Sequence, residues 1–249
     1  MIAKKYEAVF ISDIHLHPDM PDSTNRFYAF VQWAAQHTSC VYILGDFFHV
    51  WPGDEAMDSW SEAIADQLAW LSSQGVAVFF MPGNRDFLIG KQFLARSNMQ
   101  RLAESTVIKL GDQRVLLVHG DRYCTLDKGH QWLRRLTRNR LFTALFLRLS
   151  YPLRARLVSQ VREYSQANRL KPADQMVVVV STMLRHLRRH NVDMVIHGHT
   201  HKPGLTTHRA VCGCYQQYVL SDWDENPRLL CYNNSKNLCF DLFGGSYEC

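Results

Sequence analysis

Residues 195–203, VIHGHTHKP, combine a short apolar run with three histidines on alternate positions. Histidine is not a preferred strand residue, so this concentration at the end of an apolar run requires a chemical reason. An apolar run of this length, bounded by polar turn residues, is typical of a strand buried on both faces. The stretch therefore predicts a buried strand over residues 193–196 that places imidazole groups at its carboxyl end.

Four more apolar runs stop at an Asp, an Asn or a His. They cover residues 7–11, 41–44, 76–81 and 115–118. After the first run, the spacing of Phe27, Phe30, Val31 and Ala34 predicts a helix. A second helix is predicted over residues 57–71. Alternating strands and helices indicate an α/β fold, in which ligands bind beyond the carboxyl ends of the strands.

The polar side chains at these five strand ends form a mixed set of oxygen and nitrogen donors without sulfur. They are Asp13, His15, Asp46, Asn84, His119, His199 and His201. One terminal Asp is usually a turn or helix-cap residue, but five such strand ends are harder to explain by capping. The set suits borderline divalent ions such as manganese, iron or zinc. Seven donors are enough for two ions that share one carboxylate, and we expect Asp46, on a central strand, to be the bridge.

Composition bounds the class of protein. With 249 residues, 47% hydrophobic and 20% charged, the chain is typical of a globular protein with one large domain or a core with an inserted subdomain. It contains no apolar run long enough to span a membrane and no secretory signal pattern at its start. Seven scattered cysteines, an odd number, favour reduced thiols. We therefore expect a cytoplasmic protein.

Residues 131–162 contain eight arginines and no acidic residue, interleaved with many aliphatic side chains. Three interpretations compete: a helical cap packed on the core, a nucleic-acid surface, and a basic amphipathic hairpin on an anionic membrane. Aliphatic side chains greatly outnumber the rings that would stack on bases, so we expect no nucleic-acid partner. We favour the hairpin, with Leu145 and Phe146 at the acyl chains and with Arg148, Arg154 and Arg156 facing the membrane.

Five ordered motifs resemble those of the calcineurin-like metallophosphoesterases. They are SDIHL at 12–16, GDFFH at 45–49, PGNRD at 82–86, VHGD at 118–121 and HGHTH at 197–201. The resemblance implies a four-layered α/β/β/α core from residues 1–121 and 176–249, with an inserted helical cap at 122–175 that binds the substrate. It implies one ion held by Asp13, His15, Asp46 and His201, and a second held by Asp46, Asn84, His119 and His199. Mn2+ is the expected metal at both positions, and His197 falls outside the ligand set.

The sequence differs from the common family pattern at Arg85, where many relatives have a histidine after Gly-Asn. Arginine stays protonated at any working pH, so Arg85 cannot protonate a leaving group. It can still neutralise charge on phosphate oxygens. The substitution therefore favours a leaving group that needs no proton, such as the phosphate released from a pyrophosphate.

Further stretches resemble the branch of this family that hydrolyses UDP-2,3-diacylglucosamine in lipid A synthesis. They are LGDFFHVWPGDE, MPGNRDFLIG and HGDRYCTLD. The resemblance implies water attack on the α-phosphorus, giving UMP and 2,3-diacylglucosamine 1-phosphate. It implies a monomer bound peripherally to the cytoplasmic face of the inner membrane.

The same resemblance assigns roles to individual residues. It implies catalytic roles for Asp46, Asn84, Arg85 and His119. It implies substrate contacts for Asn84, Arg85, Asp127, Ser165, Asn168, Lys171 and His199, although Ser165 lies one residue closer to Asn168 than in the family pattern. Two alternatives stay open: a di-metal pyrophosphatase or phosphodiesterase acting on a soluble nucleotide or dinucleotide, and a nuclease.

Overall fold

The computed structural model describes residues 5–167, 177–211, 213–223 and 227–242, with the backbone alone for 162–167. The strands are β1 (Tyr6–Ile11), β2 (Cys40–Ile43), β3 (Ala77–Phe80), β4 (Gln100–Arg101), β5 (Ser105–Leu110), β6 (Gln113–Val118), β7 (Met194–His197), β8 (Gly204–Ala210), β9 (Gly213–Val219), β10 (Arg228–Asn233) and β11 (Leu238–Leu242). The α-helices are α1 (Pro21–His37), α2 (Ser59–Ser73), α3 (Lys91–Ser97), α4 (Lys128–Thr137), α5 (Arg140–Leu147), α6 (Tyr151–Ala167) and α7 (Val180–His190). Short 3-10 turns lie at Asp54–Ala56 and Asp121–Tyr123.

Two sheets place the strand ends that bear polar residues. One sheet has the order β11-β10-β1-β2-β3-β4, and the other has the order β5-β6-β7-β9-β8. Strands β1, β2 and β3 pair in parallel in the first sheet, as do β6, β7 and β9 in the second. Parallel neighbours end at the same edge, so each sheet brings its terminal polar residues together.

Three apolar clusters define the layers. Phe10, Leu117 and Ile196 belong to the cluster between the two sheets. Val9 and Ile11, on the opposite face of β1, pack with residues of α1 and α2, and residues of α7 pack with the outer face of the second sheet. Alternate residues of a strand point to opposite faces, so strands covered on both faces are apolar throughout. The predicted four-layered α/β/β/α core is confirmed.

The helix and strand predictions from the sequence hold within a few residues. The four apolar residues that predicted α1 are all buried on its inner face, and Pro21 stands in its first turn. Helix α2 begins two residues after the predicted start, where Asp58 accepts a 2.8 Å hydrogen bond from the backbone N–H of Ser61. Strand β7 ends at His197, so the first histidine of the opening stretch belongs to the strand itself.

Helices α4, α5 and α6 lie between β6 and α7 in the chain. Several of their apolar side chains are exposed, among them Trp132, Leu141 and Leu145. Phe146, which we expected to contact acyl chains, packs against the core cluster beside the first sheet. No described helix is both long enough and apolar enough to cross a membrane.

The prediction that Arg154 faces a membrane is wrong. Its side chain is buried, and Nη1 donates a 3.0 Å hydrogen bond to the carbonyl of Pro52. Its Nη2 lies 3.0 Å from Oε2 of Glu55. The partners of Arg154 lie about a hundred residues earlier in the chain, so a count of charges along the sequence could not identify them. Arg148 and Arg156 remain exposed.

Candidate metal centre

The strand ends bring all seven predicted donors together. These side chains form two groups, and within each group the ligand atoms all lie within 4.8 Å of one another. The first group is Asp13, His15 and His201, and the second is Asp46, His119 and His199. Asn84 joins the second group, because its Oδ1 lies 2.9 Å from Nε2 of His119. The two groups are in contact, since the backbone N–H of His199 donates a 2.8 Å hydrogen bond to Oδ2 of Asp13.

Each carboxylate has one side fixed by the protein. Oδ2 of Asp13 accepts hydrogen bonds from Oγ of Ser12 at 2.6 Å and from the His199 N–H. Its buried Oδ1 has no hydrogen-bond partner among the described residues and lies 3.4 Å from Nε2 of His201. Oδ1 of Asp46 accepts from the Arg85 N–H at 3.0 Å and lies 3.6 Å from Nε2 of His119.

Two histidines are oriented through their Nδ1 atoms. His119 donates from Nδ1 to the Leu44 carbonyl at 2.8 Å, so its Nε2 is turned toward Asp46. Nδ1 of His201 lies 3.2 Å from Oδ2 of Asp222. Such partners fix the ring and the protonated nitrogen of a metal-binding histidine. Asp222 was not predicted, although it follows the end of β9 much as Asp13 and Asp46 follow theirs.

These side chains fit divalent cations. Both ring nitrogens of His15 are buried without a hydrogen-bond partner in the described part of the chain. Burial is the main cause that lowers the pKa of His15 to about 2 and the pKa of His199 to about 3, so both rings are neutral near neutral pH. A histidine must be neutral to bind a metal, and unpartnered buried polar atoms require an explanation. Cations between these nitrogens and the Asp13 and Asp46 carboxylates would satisfy both conditions.

Neighbouring charges shift the pKa values of Asp13 and His119. Burial opposes charge on Asp13, but the neighbouring imidazoles, that of His201 first among them, hold its pKa below the usual range. Burial likewise opposes charge on His119, yet the Asp46 and Asp13 carboxylates raise its pKa. Carboxylate and imidazole groups in the two donor groups therefore stabilise each other's charged forms.

The backbone at the site is bent in a way that the sequence did not predict. Left-handed φ angles between 53° and 70° occur at Asp13, His15, Asp46, His199 and His201. Each costs a non-glycine residue roughly 1 kcal/mol or more, and such residues cluster at functional sites. Glycine is required beside two of these turns, because a Cβ at Gly83 would collide with Asp46 and one at Gly198 with Asp13.

His197 is buried in the core outside both donor groups. Its Nδ1 donates to the Gly198 carbonyl at 2.7 Å, and its Nε2 accepts from Nε2 of Gln217 at 2.8 Å. Gln217 in turn accepts from Nε2 of His208 at 2.7 Å. Burial lowers the pKa of His197 to about 4. Both ring nitrogens therefore have protein partners.

Arg85 borders the second donor group. Its Nε lies 3.2 Å from Oδ2 of Asp46, and its Nη1 lies 3.3 Å from Nδ1 of His49. The loop that bears Arg85 is held by Asp86, for which the PGNRD motif alone predicted no role. The Asp86 carboxylate accepts from the N–H of Gly83 at 2.8 Å and from the N–H of Phe47 at 2.7 Å. It thereby joins the loops that follow β3 and β2.

The inserted helices contribute two described residues at the edge of the site. Asp127, predicted to contact substrate, caps α4 by accepting a 3.0 Å hydrogen bond from the His130 N–H. The His130 ring lies 5.4 Å from that of His199, and its buried Nε2 has no hydrogen-bond partner among the described residues. No sequence pattern distinguished His130 from other helix residues. Of the other predicted contacts, Asn168, Lys171 and the side chain of Ser165 lie outside the described residues.

Comparison with known proteins extends the similarity beyond the site. The family described as calcineurin-like phosphoesterase matches residues 7–203. The UDP-2,3-diacylglucosamine hydrolase of Aeromonas salmonicida (strain A449) is 40% identical over 89% of this chain and 88% of its own length. The enzymes of that name from Cellvibrio japonicus (strain Ueda107) and Stutzerimonas stutzeri (strain A1501) are 41% and 40% identical, over 86% and 87% of this chain and 90% of each relative.

Proposed function

The chain belongs to the calcineurin-like phosphoesterase family, and from that premise we propose that it hydrolyses the pyrophosphate bond of UDP-2,3-diacylglucosamine. The observation that supports this substrate most strongly is about 40% identity to named hydrolases over nearly the whole chain. The aligned span covers nearly nine-tenths of the chain and therefore includes the inserted helices.

We propose two ion positions built from the donors described above. The first uses Asp13, His15, Asp46 and His201, and the second uses Asp46, Asn84, His119 and His199. Asp46 contacts His119 of the second group, and its backbone carbonyl accepts a 3.0 Å hydrogen bond from the N–H of His15 in the first group; this position beside both groups supports a bridging role. We propose Mn2+ as the metal, because the mixture of imidazole with carboxylate and amide oxygens suits borderline divalent ions. Ions bound there would supply Lewis-acid chemistry, lowering the pKa of water and neutralising charge on a phosphate.

In the proposed reaction, water attacks the α-phosphorus and its oxygen becomes part of UMP. The bond from that phosphorus to the bridging oxygen breaks, and this oxygen leaves on 2,3-diacylglucosamine 1-phosphate. Arg85, oriented by Asp46, is placed to neutralise charge on the nonbridging phosphate oxygens. A departing sugar phosphate bears its negative charge without protonation, so the arginine suffices where an alkoxide would need an acid.

We propose that residues 122–175 form a cap that binds the acyl chains and rests on an anionic membrane. Exposed Leu141 and Leu145 and the partly exposed ring of Phe142 support an apolar surface there. A cleft of about 470 Å³ between α6 and the loop after β2 adds further apolar lining. We propose that the enzyme acts as a monomer and binds no nucleic acid.

Turnover of three substrates tests this function. We expect rapid hydrolysis of UDP-2,3-diacylglucosamine and far slower hydrolysis of UDP-glucosamine, because each buried methylene contributes about 0.8 kcal/mol to binding. A soluble dinucleotide should also be a poor substrate. In water enriched with oxygen-18, the label should appear in UMP and not in the sugar phosphate. Equal turnover of acylated and deacylated substrates would favour the soluble-nucleotide alternative, and label in the sugar phosphate would place the attack on the other phosphorus.

A further inference from the structure

Arg138, at the end of α4, reaches from the inserted helices to the loop that bears Asn84. Its Nη2 donates to the carbonyl of Gly83 at 2.9 Å and to the carbonyl of Pro82 at 3.2 Å. These carbonyls belong to the two residues just before Asn84. The Arg138 side chain is only 15% exposed, so the contact is shielded from water.

The position of this loop determines where the Asn84 amide lies. Gly83 is in backbone contact with the Asp46 carboxylate, so closely that a Cβ could not be added there. Oδ1 of Asn84 lies 2.9 Å from Nε2 of His119. A small shift of the Gly83 carbonyl would therefore move the amide oxygen away from His119 and from Asp46.

Arg138 is itself held by acidic partners on the far side of the loop. Its Nε lies 3.5 Å from Oε1 of Glu104, and its Nη2 lies 3.9 Å from Oδ2 of Asp121. Arg134, one turn earlier in α4, pairs with the same Glu104 and places its Nε 3.2 Å from the Asp121 carboxylate. Asp121 follows His119 by two residues, so this helix end contacts the loops of two predicted ligands.

We propose that Arg138 is a positioning residue for the second ion. Its planar guanidinium satisfies two neighbouring carbonyls at once, which fixes the loop in one orientation. Without Arg138, these carbonyls would form hydrogen bonds with water instead, and the loop would no longer hold Asn84 in one position. Partners of this kind typically contribute a factor of about 10 to 100 in metal affinity. The inference rests on the proposed function in that it takes the second donor group to hold an ion.

Titration of the metal-free protein with Mn2+, followed by electron paramagnetic resonance of the free ion, tests the proposal without any substrate. We expect two bound ions in the wild type. In Arg138→Ala, one dissociation constant should rise about tenfold or more, while the other changes by less than about twofold. With saturating wild-type metal levels, kcat for UDP-2,3-diacylglucosamine should fall more than KM changes. If circular dichroism shows that Arg138→Ala does not fold, Arg138→Gln takes its place, because the glutamine side chain is too short to reach the carbonyls. The same changes in the two dissociation constants are expected.

Two matched variants separate positioning from loosening of the inserted helices. Arg135→Ala removes an exposed arginine from the same helix, and Arg154→Ala removes a buried contact between α6 and the core. Both should keep the two Mn2+ affinities within about twofold of wild type. Unchanged affinities in a folded Arg138 variant, or an equal loss in Arg154→Ala, would overturn this inference alone. A wild type that binds fewer than two ions would overturn it together with the proposed metal assignment, whereas two ions without lipid hydrolysis would count only against the substrate.

Discussion

The backbone N–H of His199 donates a 2.8 Å hydrogen bond to Oδ2 of Asp13, which joins the end of β7 in one sheet to the end of β1 in the other. The Ser12 hydroxyl donates to the same oxygen at 2.6 Å. The other oxygen, Oδ1, lies toward His201 and has no hydrogen-bond partner in the part of the chain that the structure describes. One side of this carboxylate therefore holds the two sheets together, and the other side is available to a cation.

The substitution Asp13→Asn should separate these two roles. The carbonyl oxygen of the new amide can take the place of Oδ2, because two donors point at it, and the amide nitrogen then replaces the oxygen that faces the proposed metal. We expect Asp13→Asn to fold normally but to bind the first ion at least about tenfold more weakly. Mn2+ titration and thermal unfolding measure the two effects. Asp13→Ala should weaken both, and normal two-ion binding by Asp13→Asn would show that this carboxylate is not a ligand.

Arg85 should act through charge and not through proton transfer. Its guanidinium lies against the Asp46 carboxylate and is about a third exposed, so a phosphate can reach it. We expect Arg85→Ala to raise the barrier for UDP-2,3-diacylglucosamine hydrolysis by about 2–4 kcal/mol, the range for losing a preorganised donor. Steady-state kinetics at saturating metal measures this. Arg85→His should not restore the rate, and full recovery with histidine would mean that the leaving group does need an acid.

Short local patterns predicted the buried strands and the donor positions, whereas the four-layered arrangement was implied by the family resemblance. Continuous apolar runs identify strands covered on both faces, and the polar residue that ends each run marks one edge of the sheet. Strand β9 did not follow this rule. Its sequence, GCYQQYV, contains polar residues, so neither the strand nor Asp222 beyond it was recognised.

Side-chain contacts with distant backbone groups could not be predicted from the sequence, for a different reason. Arg138 and Arg154 bind carbonyls that lie 55 and 102 residues earlier. A carbonyl exists at every position, so no residue type identifies the acceptor. The left-handed φ angles at Asp13 and Asp46 were equally hidden, since only the packing around the turn requires them.

Arg154 and Arg156 are two residues apart, but replacing each with glutamate should have different effects on stability. Arg156 is exposed, whereas Arg154 is buried against Pro52 and Glu55. Arg154→Glu should lower the free energy of unfolding by roughly 3–5 kcal/mol, because it places a carboxylate in a buried site beside another carboxylate. Urea unfolding at fixed metal concentration measures this.

Arg156→Glu should leave unfolding unchanged and weaken binding to vesicles of phosphatidylethanolamine and phosphatidylglycerol. Each basic residue near such a surface contributes on the order of 1 kcal/mol to the binding free energy. Adding Arg148→Glu to Arg156→Glu should therefore weaken vesicle binding by a further, similar amount. Co-sedimentation at low salt gives the affinity, and vesicles without anionic lipid provide the control. Unchanged binding of the double variant to anionic vesicles would remove these arginines from the proposed membrane surface.

His186 should contribute to loss of stability in acid. Its Nδ1 lies 2.9 Å from the Tyr123 hydroxyl, which donates to it, and its Nε2 lies 3.2 Å from Nε2 of His190. Burial is the main cause, followed by Arg122, that lowers the pKa of His186 to about 3. Below its ordinary pKa of 6.5 the unfolded chain takes up a proton on this ring and the folded protein does not, so unfolding becomes more favourable as the pH falls.

The matched variant is His186→Asn, whose side-chain oxygen can take the place of Nδ1 and accept from Tyr123. Between pH 7 and pH 5, wild type should lose on the order of 1 kcal/mol more stability than the variant, a value reduced for partial exposure. Urea unfolding of both proteins across this range, with and without Mn2+, measures the difference and shows whether bound metal affects it. The difference should persist in both series, because His186 is not among the proposed ligands. Parallel pH profiles for wild type and His186→Asn would mean that the ring titrates in the folded protein as it does in the unfolded chain.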